Sequence, residues 1–362
     1  MPGPPPPGME ECAAHMTQNE NRDIRTFHAG DVVLQCGITL TDARIVYEVH
    51  GAPNEARDNV VVWPTRFGGT HDDNRYLVGD GMALDPSRWC VVVPNLLGNG
   101  VSSSPSNTPA PLDGPRFPPT TIHDNVVLQR RLLAEELGVD RLALAVGWSM
   151  GAQQAYEWAS WFPERVPRVA ALAGAAKTTP HTHVFLEGMR AALTSNEAFA
   201  HGEYERPPLI GLRAMGRAWA GWALSQAFYR AEMFRGMGYA TLEDFLVRYW
   251  EGIYLKRDAN NIVSMIRTWQ NADLSANERY GGDFAKAMGA IEADVVVMPG
   301  RTDLYFPPED SEHEVLLLRN GRLDVIPSVW GHYAGGGRAA EDVAYIDRAL
   351  RDLLARGPQP SS

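Results

Sequence analysis

The sequence predicts an α/β fold with a mostly parallel central sheet flanked by helices and interrupted by one helical insertion. Three observations predict it. Short apolar runs of strand length alternate with helical periods through the first half of the chain. Strand signals then vanish from roughly residue 178 to 289, and they resume at Ala293. Strands separated by helices of this length form right-handed crossovers in a parallel sheet.

The elements follow in order. Asn59 to Trp63 is the first apolar run bounded by polar residues, and Trp89 to Pro94 is the second. Thr121 is placed to cap a helix, with Asp124 three residues on as a variant of the capping box. That helix carries Val126, Val127, Leu133 and Leu137 and stops at Gly138. Leu142 to Val146 is a continuous apolar run, fit for a strand buried on both faces. A helix follows from about Met150, with Ala152, Ala155, Tyr156 and Ala159 on one face. Val169 to Ala173, Ala293 to Met298 and Leu323 to Pro327 complete the strand candidates, and a last helix runs from about Ala339 to Ala355. The core therefore spans 23–177 and 290–356, and the aromatic-rich helical insertion spans 178–289. The Pro-rich start, 1–22, and the end, 357–362, are expected to be disordered.

Composition narrows the function. A chain of 362 residues with 44% hydrophobic and 21% charged residues has room for one large core plus an insertion. The net charge of −11 supplies no broad basic field, which argues against nucleic-acid and anionic-membrane partners. No apolar run is long enough for a spanning helix. The start lacks the basic and apolar parts of a secretory signal. Cys12, Cys36 and Cys90 form neither a metal spacing nor a disulfide framework, so a cytoplasmic, reducing compartment is expected.

Gly147-Trp148-Ser149-Met150-Gly151 fits G-x-S-x-G on a strand-to-helix turn. Such a turn presents the serine in a strained conformation, and the glycines let strand and helix pass closely. A serine hydroxyl is a weak nucleophile and needs a base, which in turn needs an orienting acid. Asp303, after the strand ending at Met298, and His332, after the strand ending at Pro327, follow Ser149 in the order Ser, acid, His. All three fall at carboxyl ends of parallel strands, the edge where sites form. The rivals are worse placed: Asp294 stands at a strand entrance, Glu309, Asp310 and Glu312 on a solvated helix start, Asp324 inside a strand, and His123 and His313 on helices. His181 and His183 lack further ligands, so no metal is expected, and no cofactor is implied. The two amides of an oxyanion hole are expected from Met150 and from the loop Pro64 to Gly69, at Arg66.

These residues resemble the homoserine O-acetyltransferase family of α/β-hydrolases. The likeness rests on the elbow with Glu157-Trp158-Ala159 and Phe162 to Val166, on Asn95-x-Leu97-Gly98, on Phe185-x-Glu187-x-x-Arg190, on Arg257 to Asn260 and on Asp303 to Pro308. The resemblance implies an α/β-hydrolase core with a helical lid over residues 178–289. It also implies pairing into homodimers through that lid, and an arginine, Arg190, facing the substrate. The departures point toward hydrolysis. Tyr333 follows His332, where the transferases typically carry an aspartate for the substrate's amino group. Trp148 and Ala152 stand where they usually carry glycine. The loop with Arg66 and Phe67 is more similar to the branch that hydrolyses short acyl esters. The expected activity is hydrolysis of acetyl or propionyl esters of small alcohols through an acyl-enzyme. The alternatives are O-acetyl transfer from acetyl-CoA to homoserine or another alcohol, and a non-catalytic binding module. Phe67, Trp148, Arg190 and Tyr333 are candidate substrate contacts, with Trp222 and Tyr229 as candidate walls from the insertion.

Overall fold

Residues 22–356 are described by the computed structural model, so the expected terminal tails, Arg22 apart, lie outside the described residues. Among the described residues the strands are β1 (Asp23–Val33), β2 (Thr39–His50), β3 (Val60–Val62), β4 (Cys90–Pro94), β5 (Leu144–Trp148), β6 (Arg168–Leu172), β7 (Asp294–Met298) and β8 (Gly321–Leu323). They form one sheet in the order β1-β2-β4-β3-β5-β6-β7-β8. From β4 to β8 every neighbouring pair is parallel. The expected mostly parallel α/β fold is the one observed.

Two strands carried no sequence expectation. β1 and β2 pair antiparallel at one edge, and β2 joins β4 antiparallel. Much of their surface faces solvent, so their apolar residues alternate with polar ones instead of forming runs. At the other edge, β8 (Gly321–Leu323) lies before the expected Leu323 to Pro327 and shares only Leu323 with it. Beyond Leu323 the amides of Asp324 and Ile326 still donate to the Val297 and Pro299 carbonyls, both at 2.9 Å, and the last bridge joins Gly300 to Ile326. Pro327, with no N–H to donate, cannot extend it.

The central strands are as buried as their apolar runs predict. All side chains of β4 and β5 are enclosed, and each Val or Leu so buried contributes about 1.5–3 kcal/mol. Helix α1 (Ile122–Leu137) opens on the reciprocal cap: the Thr121 hydroxyl accepts from the Asp124 amide at 3.1 Å, and the Asp124 carboxylate accepts from the Thr121 amide at 2.9 Å. It closes on Gly138 at φ 61°. Helix α2 (Met150–Trp161) starts directly after β5 and Ser149 and is almost wholly enclosed.

Between β6 and β7 the chain is helical, with α3 (Pro180–Thr194), α4 (Leu209–Ala223) and α5 (Ala259–Gln270) joined by shorter helical turns. Trp219, Trp250 and Trp269 from this segment pack in one apolar cluster with Phe67, Met150 and Tyr305 of the core. The Thr182 hydroxyl donates to the Tyr305 carbonyl at 2.8 Å. The insertion thus covers the carboxyl edge of the sheet, where the loops after β3, β5 and β7 emerge. Helices α6 (Pro308–Val315) and α7 (Ala340–Ala355) complete the fold, and α7 buries Ile346, Leu350 and Leu353 against the sheet.

Candidate active site

Ser149 occupies the single residue between β5 and α2, with φ 61° and ψ −124°. An L-residue in that region carries strain on the order of 1–3 kcal/mol. The surroundings hold it there. The Ser149 amide donates to the Leu172 carbonyl at 2.9 Å. A Cβ at Gly151 would lie 2.7 Å from the Pro64 carbonyl oxygen, and a Cβ at Gly147 would collide with the Gly151 backbone. These are the steric reasons for both glycines of the motif. Ala152, where the resembling transferases repeat glycine, is accommodated by Gly174 on the loop after β6. A Cβ at Gly174 would lie 2.5 Å from the Ala152 methyl and 2.7 Å from the Ser149 carbonyl oxygen.

His332 and Asp303 meet as the spacing predicts. His332 Nδ1 lies 2.8 Å from Asp303 Oδ2, and both side chains are buried. Asp303 Oδ1 accepts from the amides of Tyr305 and Phe306 at 2.8 and 3.3 Å, which fixes the carboxylate. A carboxylate can only accept, so Nδ1 carries the proton and Nε2 is left as the basic nitrogen. The imidazole lies beside the Tyr305 and Phe306 rings, 4.6 and 5.6 Å away between centroids. Ser149 and His332 face the same cavity. No hydrogen bond between them is formed among the described residues; in free enzymes such contacts are commonly long and tighten around substrate.

Amides without a protein acceptor among the described residues occur next to Ser149 and in the loop after β3 that lines the same cavity. Met150 is the first residue of α2, so its N–H has no intrahelical acceptor. In the loop after β3, Gly68 donates to Met265 Sδ at 3.4 Å and Gly69 to the Arg66 carbonyl at 3.0 Å. The amides of Arg66 and Phe67 have no acceptor among the described residues. The arrangement can therefore offer donors from both the positions the sequence singled out.

The cavity measures about 150 Å³. One part is aromatic, formed by Phe67, Trp148, Trp219, Trp250, Tyr254 and Trp269. Trp148 lies under the Arg66 guanidinium, 4.6 Å from its centroid, and donates from Nε1 to the His332 carbonyl at 3.1 Å. Tyr333 also lines the cavity. Its ring lies parallel to Trp250, 6.1 Å between centroids, and its oxygen accepts from the Tyr249 hydroxyl at 3.3 Å. Burial raises the Tyr333 phenol above its ordinary pKa, so it stays neutral at neutral pH.

Three expectations need correction. Arg190 does not face this cavity. It pairs with Glu187 one turn back on α3, at 3.0 Å, on an exposed face. The short i,i+3 spacing satisfies both charges locally. Trp222 packs on His181 and Phe185, and the Tyr229 hydroxyl donates to the Ala220 carbonyl at 2.5 Å. Neither lines the cavity; Trp219 and Ala223, one turn apart on α4, do. Sequence reasoning missed Trp219, Trp250, Tyr254 and Trp269 as walls, and missed Arg257 and Arg338 at the polar part. The i,i+4 pairs Trp219/Ala223 and Trp250/Tyr254 signal shared faces, but not which face meets the site.

The alpha/beta hydrolase fold family matches residues 59–335. An ethyl acetate hydrolase from Pseudomonas veronii is 34% identical, with 94% of this chain and 98% of that protein covered. A homoserine O-acetyltransferase from Symbiobacterium thermophilum is 31% identical, covering 84% of this chain and 87% of its own length. The crystal structure of an acetylester hydrolase from Corynebacterium glutamicum superposes with a TM-score of 0.89 at 34% identity, over 92% of this chain and 96% of that one. With its elbow, its sheet and most of its length matched, this chain belongs to the alpha/beta hydrolase fold family.

Proposed function

We propose that the protein is a serine carboxylic-ester hydrolase acting on acetyl and propionyl esters of small alcohols. The observation that carries this reading is the shared cavity: Ser149 and the Asp303-held His332 face a space of about 150 Å³ with aromatic walls. An engineered apolar cavity of about that volume in another protein takes up benzene. Ethyl acetate has the same number of non-hydrogen atoms as benzene. Likeness to an ethyl acetate hydrolase and to an acetylester hydrolase supports the same size class.

In this reading His332 Nε2 takes the Ser149 proton as Oγ attacks the ester carbonyl. The amides of Met150 and Arg66 receive the oxyanion. His332 then returns the proton to the departing alcohol. Water, activated by the same nitrogen, cleaves the acyl-serine and releases the carboxylic acid. Asp303 keeps the imidazole in one tautomer throughout. Neutral Tyr333 supplies no charge for an amino group, which favours hydrolysis over transfer to homoserine. Release of p-nitrophenol from p-nitrophenyl acetate tests the reading: wild type should turn over, and Ser149→Ala should not. Equal release by both proteins would remove it. Acetyl-CoA cleavage that depends on homoserine would favour the transferase alternative.

The same reading takes the protein as a cytoplasmic homodimer paired through residues 178–289. Exposed Val184, Leu209 and Ile210 on α3 and α4 support pairing. Free Cys36 and Cys90 fit a reducing compartment. No helix among the described residues is long and apolar enough to cross a membrane. A monomer mass by light scattering would remove the dimer.

A further inference from the structure

The polar part of the Ser149 cavity holds three guanidiniums, Arg66, Arg257 and Arg338, against one carboxylate, Asp73. Arg66 is already engaged. It donates to the Phe67 carbonyl at 2.9 Å and to Asp73 at 3.3 Å, and it lies over the Trp148 ring. Asp73 also accepts from the Thr70 amide at 2.8 Å. The other two arginines have no such partner: among the described residues neither Arg257 nor Arg338 donates to any acceptor or pairs with any acid. The Arg338 guanidinium lies over the faces of Tyr249 and Tyr333, 6.0 and 5.8 Å from their centroids. Arg257 is pressed onto the loop after β3, where a Cβ at Gly68 would lie 2.5 Å from its Nη1. Arg257 and Asp73 also line an open groove that adjoins the cavity, so they stand at its passage to solvent.

Arg257 is half-buried and Arg338 exposed at the cavity's rim, so two guanidiniums with unused donors stand where an entering anion would meet them. Their planar forks match carboxylate and phosphate oxygens. Asp73 is the one carboxylate among the lining residues and is taken by Arg66, and neutral Tyr333 adds no negative charge, so the charged groups left over are positive. We propose that the alcohol half of the natural ester carries an anion, a carboxylate or a phosphate, received by Arg257 and Arg338. The substrate class is then an acetylated hydroxy acid or phosphorylated alcohol without an amino group. This rests on the ester-hydrolase reading and refines it. The reaction is unchanged: the acyl carbon leaves the alcohol oxygen for Ser149 Oγ, and the anion departs with the alcohol.

The test compares acetoxyacetate and 2-acetoxyethyl phosphate with the neutral methyl ester of acetoxyacetate. At low ionic strength kcat/KM for one of the anionic esters should exceed that for the neutral ester by about tenfold or more, the effect of a charge-assisted hydrogen bond. Which anion is preferred separates carboxylate from phosphate. Arg257→Met and Arg338→Met should each collapse the ratio, mostly through KM, and Arg257→Lys should restore part of it. A preference for the neutral ester, or variants that lower both substrates equally, would overturn the proposal and leave the arginines as supports of the loop. Calorimetric binding of acetoxyacetate and its methyl ester to Ser149→Ala reads the subsite without turnover. A failure of hydrolysis is thereby distinguished from a failure of anion recognition, and equal binding of the two esters would also overturn the proposal.

Discussion

Trp148 Nε1 donates to the main-chain carbonyl of His332 at 3.1 Å, tying the residue before the candidate nucleophile to its candidate base. The indole also fills the space over Gly335 and Gly336, where added Cβ atoms would meet its ring. One side chain thus spans β5 and the turn that carries the imidazole. Trp148→Phe keeps most of the bulk and removes the donor. It should cost about 1 kcal/mol of stability and lower kcat on p-nitrophenyl acetate by roughly tenfold, since small displacements at a reacting centre are expensive. Unchanged kcat would mean that the turn is held by other contacts.

Asp303→Asn should preserve the fold and abolish most turnover. An asparagine amide donates as well as accepts, and it can stabilise the tautomer with the proton on Nε2, which cannot act as base. In an unrelated serine protease this exchange lowers kcat by about 10⁴. A fall on the order of 10³–10⁴ is expected here, with circular dichroism and melting temperature near wild type. A loss below tenfold would show that the buried carboxylate is structural only.

Gly174 gives a third prediction, because its missing side chain makes room for Ala152 and for the Ser149 carbonyl. Gly174→Ala should push the elbow apart, costing about 1–3 kcal/mol in denaturant unfolding together with a marked loss of kcat. Gly174→Ala combined with Ala152→Gly should recover part of both losses, since one contact is relieved. Additive losses in the double variant would show that the two positions do not compete for space.

Much of this was legible in the sequence, and the reasons are local. The run Leu142 to Val146, the glycines around Ser149 and the cap at Thr121 each state a backbone preference in a few residues. Asp303 was found because it stands just past β7, and His332 because it follows the expected last strand; both positions fall at one edge of a parallel sheet. The rest depended on packing between distant segments. β1 and β2 are half-exposed edge strands, so their pattern is diluted by solvent-facing residues. For Arg190 a salt bridge within the insertion stands level with the substrate contact that the resemblance implies, and the spacing to Glu187 is the local signal for the former. Trp219 and Trp222 share a helix, and only the docking of α4 on the core decides which one meets the cavity. Arg257 and Arg338 come from either side of β7 and β8 and meet nowhere in the sequence.

Glu314 carries the prediction for pH dependence. Its carboxyl on α6 is buried and accepts from the Ala176 amide at 2.8 Å, while its second oxygen has no partner among the described residues. Burial pushes its pKa from 4.5 up to about 8, against the lowering effect of the Ala176 and Lys177 amides. The sign follows from linkage. A carboxyl whose pKa is higher in the folded state binds more protons folded than unfolded between those two values, so stability falls as pH rises from about 4.5 to about 8. Glutamine keeps the acceptor oxygen and the volume but cannot ionise. Glu314→Gln should therefore be close to wild type at pH 4.5 and more stable above pH 8, by several kcal/mol and at most about 5. Urea unfolding at the two pH values measures the difference. A stability gap that is the same at both would show that Glu314 titrates alike in the folded and unfolded chain.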